Sequence, residues 1–169
     1  KYIFENNAVK EKVGVLYMDV STPKVAVGIK NNESVMTGDD LLKYELAVEI
    51  IFDYLFGKSS DNYEKLLNEE LINNTFNYEL TFEYSYGFVI ISCDTNKPEK
   101  LRDVLREIVV NAKNLQIPDE DFQRIKKKLL GAAIKALNSF EVIANAFIRY
   151  QFNNINLFEI GRASCRERV

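Results

Sequence analysis

Glu79 and Glu83 have the plainest claim to chemistry, because they stand on one parity of a twelve-residue alternating stretch, Thr75–Tyr86. Paired carboxylates can divide acid and base work across a glycosidic bond, but only at separations of about 5 to 9.5 Å. Four residues of strand rise put these two about 13 Å apart, too far for such a pair. They read as a solvated sheet face, with the lining of a substrate chamber as the functional alternative, and Asn77 and Thr81 share their parity. Asp119-Glu120-Asp121 follows Pro118, where acidic side chains complement a helix N-terminus, so the run reads as helix-start charge rather than a metal cluster. Lys126-Lys127-Lys128 lies within the same helical pattern and reads as a solvated face rather than an anion site. Cys93 ends the apolar run FVIISC and reads as a packed thiol rather than a nucleophile. No Gly-rich phosphate loop is present. The histidine count is zero, which excludes a His-based zinc site, a Ser-His-Asp triad and a Cys-His pair within this chain.

The elements that would position these residues follow from apolar spacing. Lys12–Val20, with Val13, Val15 and Tyr17 alternating, predicts a strand, and Lys24–Lys30 a second one after Ser-Thr-Pro. Asp39–Phe56 predicts a helix, with Leu42, Leu46, Ile50 and Tyr54 every four residues. A short helix from Asp61 to Leu71 is expected to be capped by Asp61 with Glu64. In Thr75–Tyr86 the apolar parity is Phe76, Tyr78, Leu80, Phe82, Tyr84 and Tyr86, which predicts one long strand turned at Gly87. That parity reads as helix-packing core rather than a base-stacking platform. Phe88–Cys93 is then its antiparallel neighbour. Asn96 and Pro98 open a helix that Ile117-Pro118 breaks, Pro118 opens the next, and Ser139 caps a last one through Tyr150. Strands in neighbouring pairs argue for an α+β fold: a largely antiparallel sheet with helices packed on one face, a two-layer sandwich.

A length of 169 residues suits one domain, and 47% hydrophobic with 28% charged residues suits a chain that buries a core. The organisation expected is a linker over 1–10, one domain over 11–159 and a separate tail over 160–169. The formal charge of −3 disfavours nucleic acid as a partner. No apolar run reaches the ~18 residues of a membrane span, so no membrane partner is expected. Two cysteines, Cys93 and Cys165, make no disulfide framework, and a cytoplasmic setting is expected. Because the first residue is Lys1 rather than Met, the start of the gene product is expected upstream.

The last residues, EIGRASCRERV, differ in texture from the rest. The body is rich in Asn, Lys, Ile, Tyr and Phe, whereas the end turns to Gly, Arg, Ala and Cys and holds three of the seven arginines. It has no helical or strand period. The string resembles the conceptual translation of a common short-read sequencing adapter, and Ile160–Val169 is therefore set aside from the fold. Removing its three arginines and one glutamate takes the formal charge from −3 to −5.

Three segments carry a family likeness: MDVSTPKVAVGIK, LFGKSSDNYEKLLNEELI and RIKKKLLGAAIKALNSFEVIANAFIRYQFNNINLF. Together they resemble the C-terminal half of bacterial proteins in the insulinase/pitrilysin class of zinc metallopeptidases. The likeness is nearest to Bacillus-type paralogues associated with elongation factor P modification, and it covers Val13 to Phe158. It implies a half domain like those of the mitochondrial processing peptidase, one of two that face each other across a closed chamber. The other half would carry H-x-x-E-H, with zinc and a glutamate base. This half would hold no catalytic residue, metal or cofactor, and would form the opposite wall of the chamber and bind peptide. Active members of the class carry an Arg and, seven residues later, a Tyr that contact substrate. Aligning NEELINNT puts Asn68 at the Arg position and Thr75 at the Tyr position, and neither can replace its counterpart. The resemblance therefore leaves two functions open. One is the non-catalytic domain of a zinc metallopeptidase, partnered by its own upstream half and a peptide or protein substrate. The other is a pseudopeptidase scaffold paired with a paralogous subunit. A generic α+β interaction domain is the third and blandest reading.

Overall fold

The structure, a computed structural model, describes residues 8–31 and 36–155. Among them are three strands, β1 Lys24–Lys30, β2 Asn77–Glu83 and β3 Tyr86–Asp94. The helices are α1 Gly38–Phe56, α2 Asp61–Asn68, α3 Pro98–Asn111, α4 Asp119–Ala136 and α5 Phe140–Phe152, with a 3-10 turn at Ala112–Asn114. By internal contacts the chain divides into two compact units. The first draws its described residues from Lys1–Glu33, Leu55–Thr81 and Tyr86–Leu115, the second from Ser34–Tyr54, Phe82–Ser85 and Gln116–Val169.

The first unit holds the sheet, in the order β1-β3-β2. β1 pairs antiparallel with β3, in register from Lys24 opposite Asp94 to Lys30 opposite Phe88. Side chains alternate across a strand, so this register puts Val25 with Cys93, Val27 with Ile91 and Ile29 with Val89 on one face. Val25, Val89, Ile91 and Cys93 are buried. The opposite face holds Ala26, Ser92 and Ile90, with Ala26 and Ile90 exposed. α3 packs against β1, and Leu66 of α2 with Leu101 and Leu105 of α3 is fully buried. The architecture is the expected α+β one: a small antiparallel sheet, dry on its helical side and open on the other.

Local signals were displaced in five places. Lys12–Val20 forms no strand; its residues are exposed, Tyr17 to 91%. Alternation fixes which side chains would share a face, but it cannot supply a neighbouring strand. The long strand turns at Tyr84-Ser85 and not at Gly87, which sits buried inside β3. The Tyr84 N–H donates to the Asn153 side chain at 3.1 Å, and Tyr86 therefore lies on the next strand, half exposed. The cap of α2 is Ser60, whose hydroxyl accepts from the Tyr63 N–H at 3.1 Å, so Asp61 falls inside the helix. α2 stops at Asn68, and Glu70 just beyond it has φ +54°, the left-handed turn that usually ends a helix on glycine. Before α3 the Thr95 hydroxyl, not Asn96, accepts from the Lys97 N–H, and Pro98 takes the first turn as expected. Ser139 does cap α5, accepting from the Val142 N–H.

The second unit is helical. α1 buries Leu41, Leu42, Ile50 and Phe52, and α4 buries Ile125. Asn153, just past α5, is 3% exposed, and its carbonyl accepts from the Gly38 N–H at 2.8 Å and the Thr37 hydroxyl at 2.7 Å. Gly38 has φ +60°, a conformation that a Cβ would strain. The adapter-like residues 160–169 lie outside the described residues.

Candidate functional site

The junction between α2 and β2 carries both positions singled out by the family pattern. Asn68 is the last residue of α2 and is exposed. Thr75 lies just before β2, and its short side chain is committed within the protein. Its hydroxyl donates to Asn73 Oδ1 at 2.7 Å and accepts from the Asp94 N–H at 2.9 Å. The Thr75 N–H donates to the same Asn73 oxygen at 2.8 Å, and Asn73 Nδ2 donates to the Asp94 carbonyl at 2.8 Å. Thr75 and Asn73 thus fasten the start of β2 to the end of β3. The Cys93 thiol beside them is 1% exposed and donates to the Asp94 carbonyl at 3.3 Å.

Three of the four face residues project from the sheet's open side. Asn77 Oδ1 accepts from the Ser92 hydroxyl, and Asn77 Nδ2 donates to Glu79 Oε1 at 3.4 Å. Asn77 and Glu79 are exposed and Thr81 half-buried. The same face carries Tyr86 and Phe88, stacked with centroids 6.3 Å apart and planes 17° from parallel, and Ile90 at 37% exposure. Aromatic, aliphatic and amide groups thus stand side by side on this face.

Glu83 does something else. It belongs to the helical unit and accepts from Arg149 Nε at 3.1 Å and from Asn153 Nδ2 at 2.7 Å. Arg149 Nη2 also donates to the Phe82 carbonyl at 2.9 Å and meets Glu45 at 3.0 Å, and the guanidinium lies 5.7 Å from the Tyr150 ring centroid. Further along α1, Asp53 takes Lys128 of α4. Between Glu45 and Asp53 stands Glu49. Burial pushes the Glu45 carboxyl up, and Arg149 only partly offsets it. Burial first, then the charges of Glu45 and Asp53, push Glu49 up. Burial and Glu45 likewise push the Tyr150 phenol up. For Arg149, burial pulls downward, but Glu45 and Glu83 outweigh it and hold the guanidinium above its ordinary value. None of Glu45, Glu49, Arg149 or Tyr150 was a sequence candidate. The available signal was the acidic row 45, 49, 53, spaced by four beside the apolar row 42, 46, 50.

A zinc site of the kind the resemblance implies does not fit these residues. Imidazole is absent from the sequence, the buried thiol is engaged, and among the described residues no three His, Cys, Asp or Glu side chains converge as a metal site.

Residues 4–129 match the family model described as the Peptidase M16 inactive domain, and the chain belongs to that family. It is 39% identical over 156 residues to an uncharacterized zinc protease, YmfH, of Bacillus subtilis, covering 92% of this chain and 36% of that protein. The fold is similar to that of an M16-like peptidase from Alicyclobacillus acidocaldarius, with TM-score 0.78, 21% identity, and 88% of this chain against 36% of that one. It is also similar to the inactive peptidase domain of a protein assigned as a zinc protease from Bordetella parapertussis, with TM-score 0.53, 14% identity and 88% of each chain covered. The chain thus spans about a third of the first two relatives.

Proposed function

We propose that this chain is the non-catalytic C-terminal domain of an insulinase-like zinc metallopeptidase, with the open face of its sheet as chamber wall and peptide-binding surface. The observation that carries the reading is the division of β3: Val89, Ile91 and Cys93 buried, Tyr86, Phe88 and Ile90 turned to the open side beside Asn77 and Glu79. In this reading zinc and base belong to a partner half, and the setting is cytoplasmic. The test is photo-crosslinking from a benzophenone side chain at Glu79 in the parent protein. An unstructured peptide is expected to label Glu79 and not Glu107, an acidic residue of α3. Equal labelling at both would overturn the assignment.

A second reading is a pseudopeptidase scaffold that pairs with a paralogue, in line with the Bacillus-type proteins tied to elongation factor P. Asn68 and the self-engaged Thr75 at the Arg and Tyr positions favour it. An upstream reading frame lacking H-x-x-E-H, with no peptide cleavage by the parent, would select it over the first. In both readings residues 160–169 play no part, and their deletion is expected to leave the melting temperature unchanged.

A further inference from the structure

The helical unit contains a cavity of about 320 Å³ between α1 and α4, at the lower end of ligand-pocket volumes. Its walls include Leu46 and Ile50 from α1 and Phe122 and Leu129 from α4. The room comes from Ala132, Ala133 and Ala136, small side chains on the lining stretch of α4. Its ionisable lining is Glu45, Glu49, Lys126 and Tyr150.

Those groups are unequally matched. Glu45 has Arg149, and Asp53, four residues beyond Glu49, has Lys128. Glu49 lines the cavity with neither a hydrogen bond nor an ion pair within 4 Å among the described residues, and feels Lys128 only at longer range. Lys126, on the facing helix, makes no ion pair within 4 Å there either. Around the cavity the four carboxylates Glu45, Glu49, Asp53 and Glu83 meet three cations, Arg149, Lys128 and Lys126, which leaves one negative charge in excess in half-buried surroundings. An unmatched carboxylate on an apolar slot calls for a positive head on an apolar body. Burial first, then the charges of Glu45 and Asp53 against the opposing pull of Lys128, raises the proton affinity of Glu49.

We propose that this cavity binds a small organic cation, with an aliphatic or aromatic body between α1 and α4 and a primary ammonium on Glu49. The recognition is by chemistry alone: apolar walls for the body, a single carboxylate for the head, and Lys126 as a charge that competes with the ligand's own.

The test titrates the full chain by calorimetry with three probes of one shape: 2-phenylethylammonium, 2-phenylethanol and 3-phenylpropanoate. Near neutral pH the ammonium is expected to bind at least about tenfold more tightly than the alcohol, the worth of a charge-assisted hydrogen bond, with the carboxylate weakest. Glu49→Gln should bring the ammonium down to the level of the alcohol and leave the alcohol unchanged. Lys126→Gln should tighten the ammonium by relieving competition. Ala133→Leu should weaken ammonium and alcohol together, and a thermal melt of this variant shows that it folds. Equal binding of ammonium and alcohol to the unaltered chain would overturn the proposal. So would tighter binding of the carboxylate, no saturable ammonium binding, or a preference that survives Glu49→Gln.

Discussion

Along β3, Ser92 and Asp94 stand on one side of the strand while Ile91 and Cys93 fill the other; along α1, Glu45, Glu49 and Asp53 stand beside Leu42, Leu46 and Ile50 on adjoining rows. A strand separates wet from dry by 180° at every step, so the sheet unit needs no charge in its interior. Adjoining rows on a helix diverge far less, and a carboxylate beside an apolar stripe is partly drawn in with it. The helical unit answers with Arg149 and Lys128, and Glu49 is the position it leaves without a direct ion pair, with Lys128 acting on it only at longer range. The sheet unit is therefore held by apolar packing and the helical unit by packing plus matched charge, and substitutions should part them along that line.

The largest effect should come from within β3 itself. Ile91→Ala removes a side chain that is 0% exposed and should cost about 3 kcal/mol, whereas Ile90→Ala on the open face should cost under about 0.5 kcal/mol. Denaturant unfolding of the two variants checks this, and equal losses would mean that the open face is packed too. Next is Arg149→Ala, which takes this donor from Glu45 and the Phe82 carbonyl and leaves Glu83 with Asn153 alone. With the side chain 35% exposed, the loss should be about 2 kcal/mol rather than the larger figure of a sealed ion pair. Arg149→Lys should recover only part of it, since an ammonium cannot span those acceptors as a planar fork does.

Glu49→Gln should act in the opposite direction. Burial holds the folded carboxyl above its ordinary 4.5, so its ionisation opposes folding as pH rises through the folded value. The variant should melt higher than the parent at neutral pH, and the gap should close as pH falls from the raised folded value to 4.5, below which the carboxyl is protonated folded or unfolded. A gap that persists in acid would assign the effect to something other than charge. The smallest change is Glu70→Gly at φ +54°, where relief of left-handed strain outweighs the entropy of glycine by up to about 1 kcal/mol.

How far these regions could be read in advance follows the same division. The apolar rows of α1, α3 and α4 and the alternation of β2 announce themselves, because each is a local period with a buried stripe. The wet parity Asn77, Glu79, Thr81 was legible for the same reason. The Arg149 cluster was not: its partners Glu83 and Glu45 lie 66 and 104 residues away in sequence, and no local pattern encodes that meeting. Lys12–Val20 failed in the opposite sense, with a clean period and no ladder to join. Ser60 and Asp61 are both competent caps, so only the backbone geometry at 60 decides between them.

Cys93 sits on the central strand, sealed to 1% exposure and fastened through Asp94 and Thr75 to the entry of β2. In a Cys165→Ser background it is the last thiol in the chain. An aromatic disulfide reagent can then reach sulfur only when the ribbon's closing end comes apart. The colour it releases would be a clock for that opening, ticking independently of the melting of α5, the helix that carries Arg149.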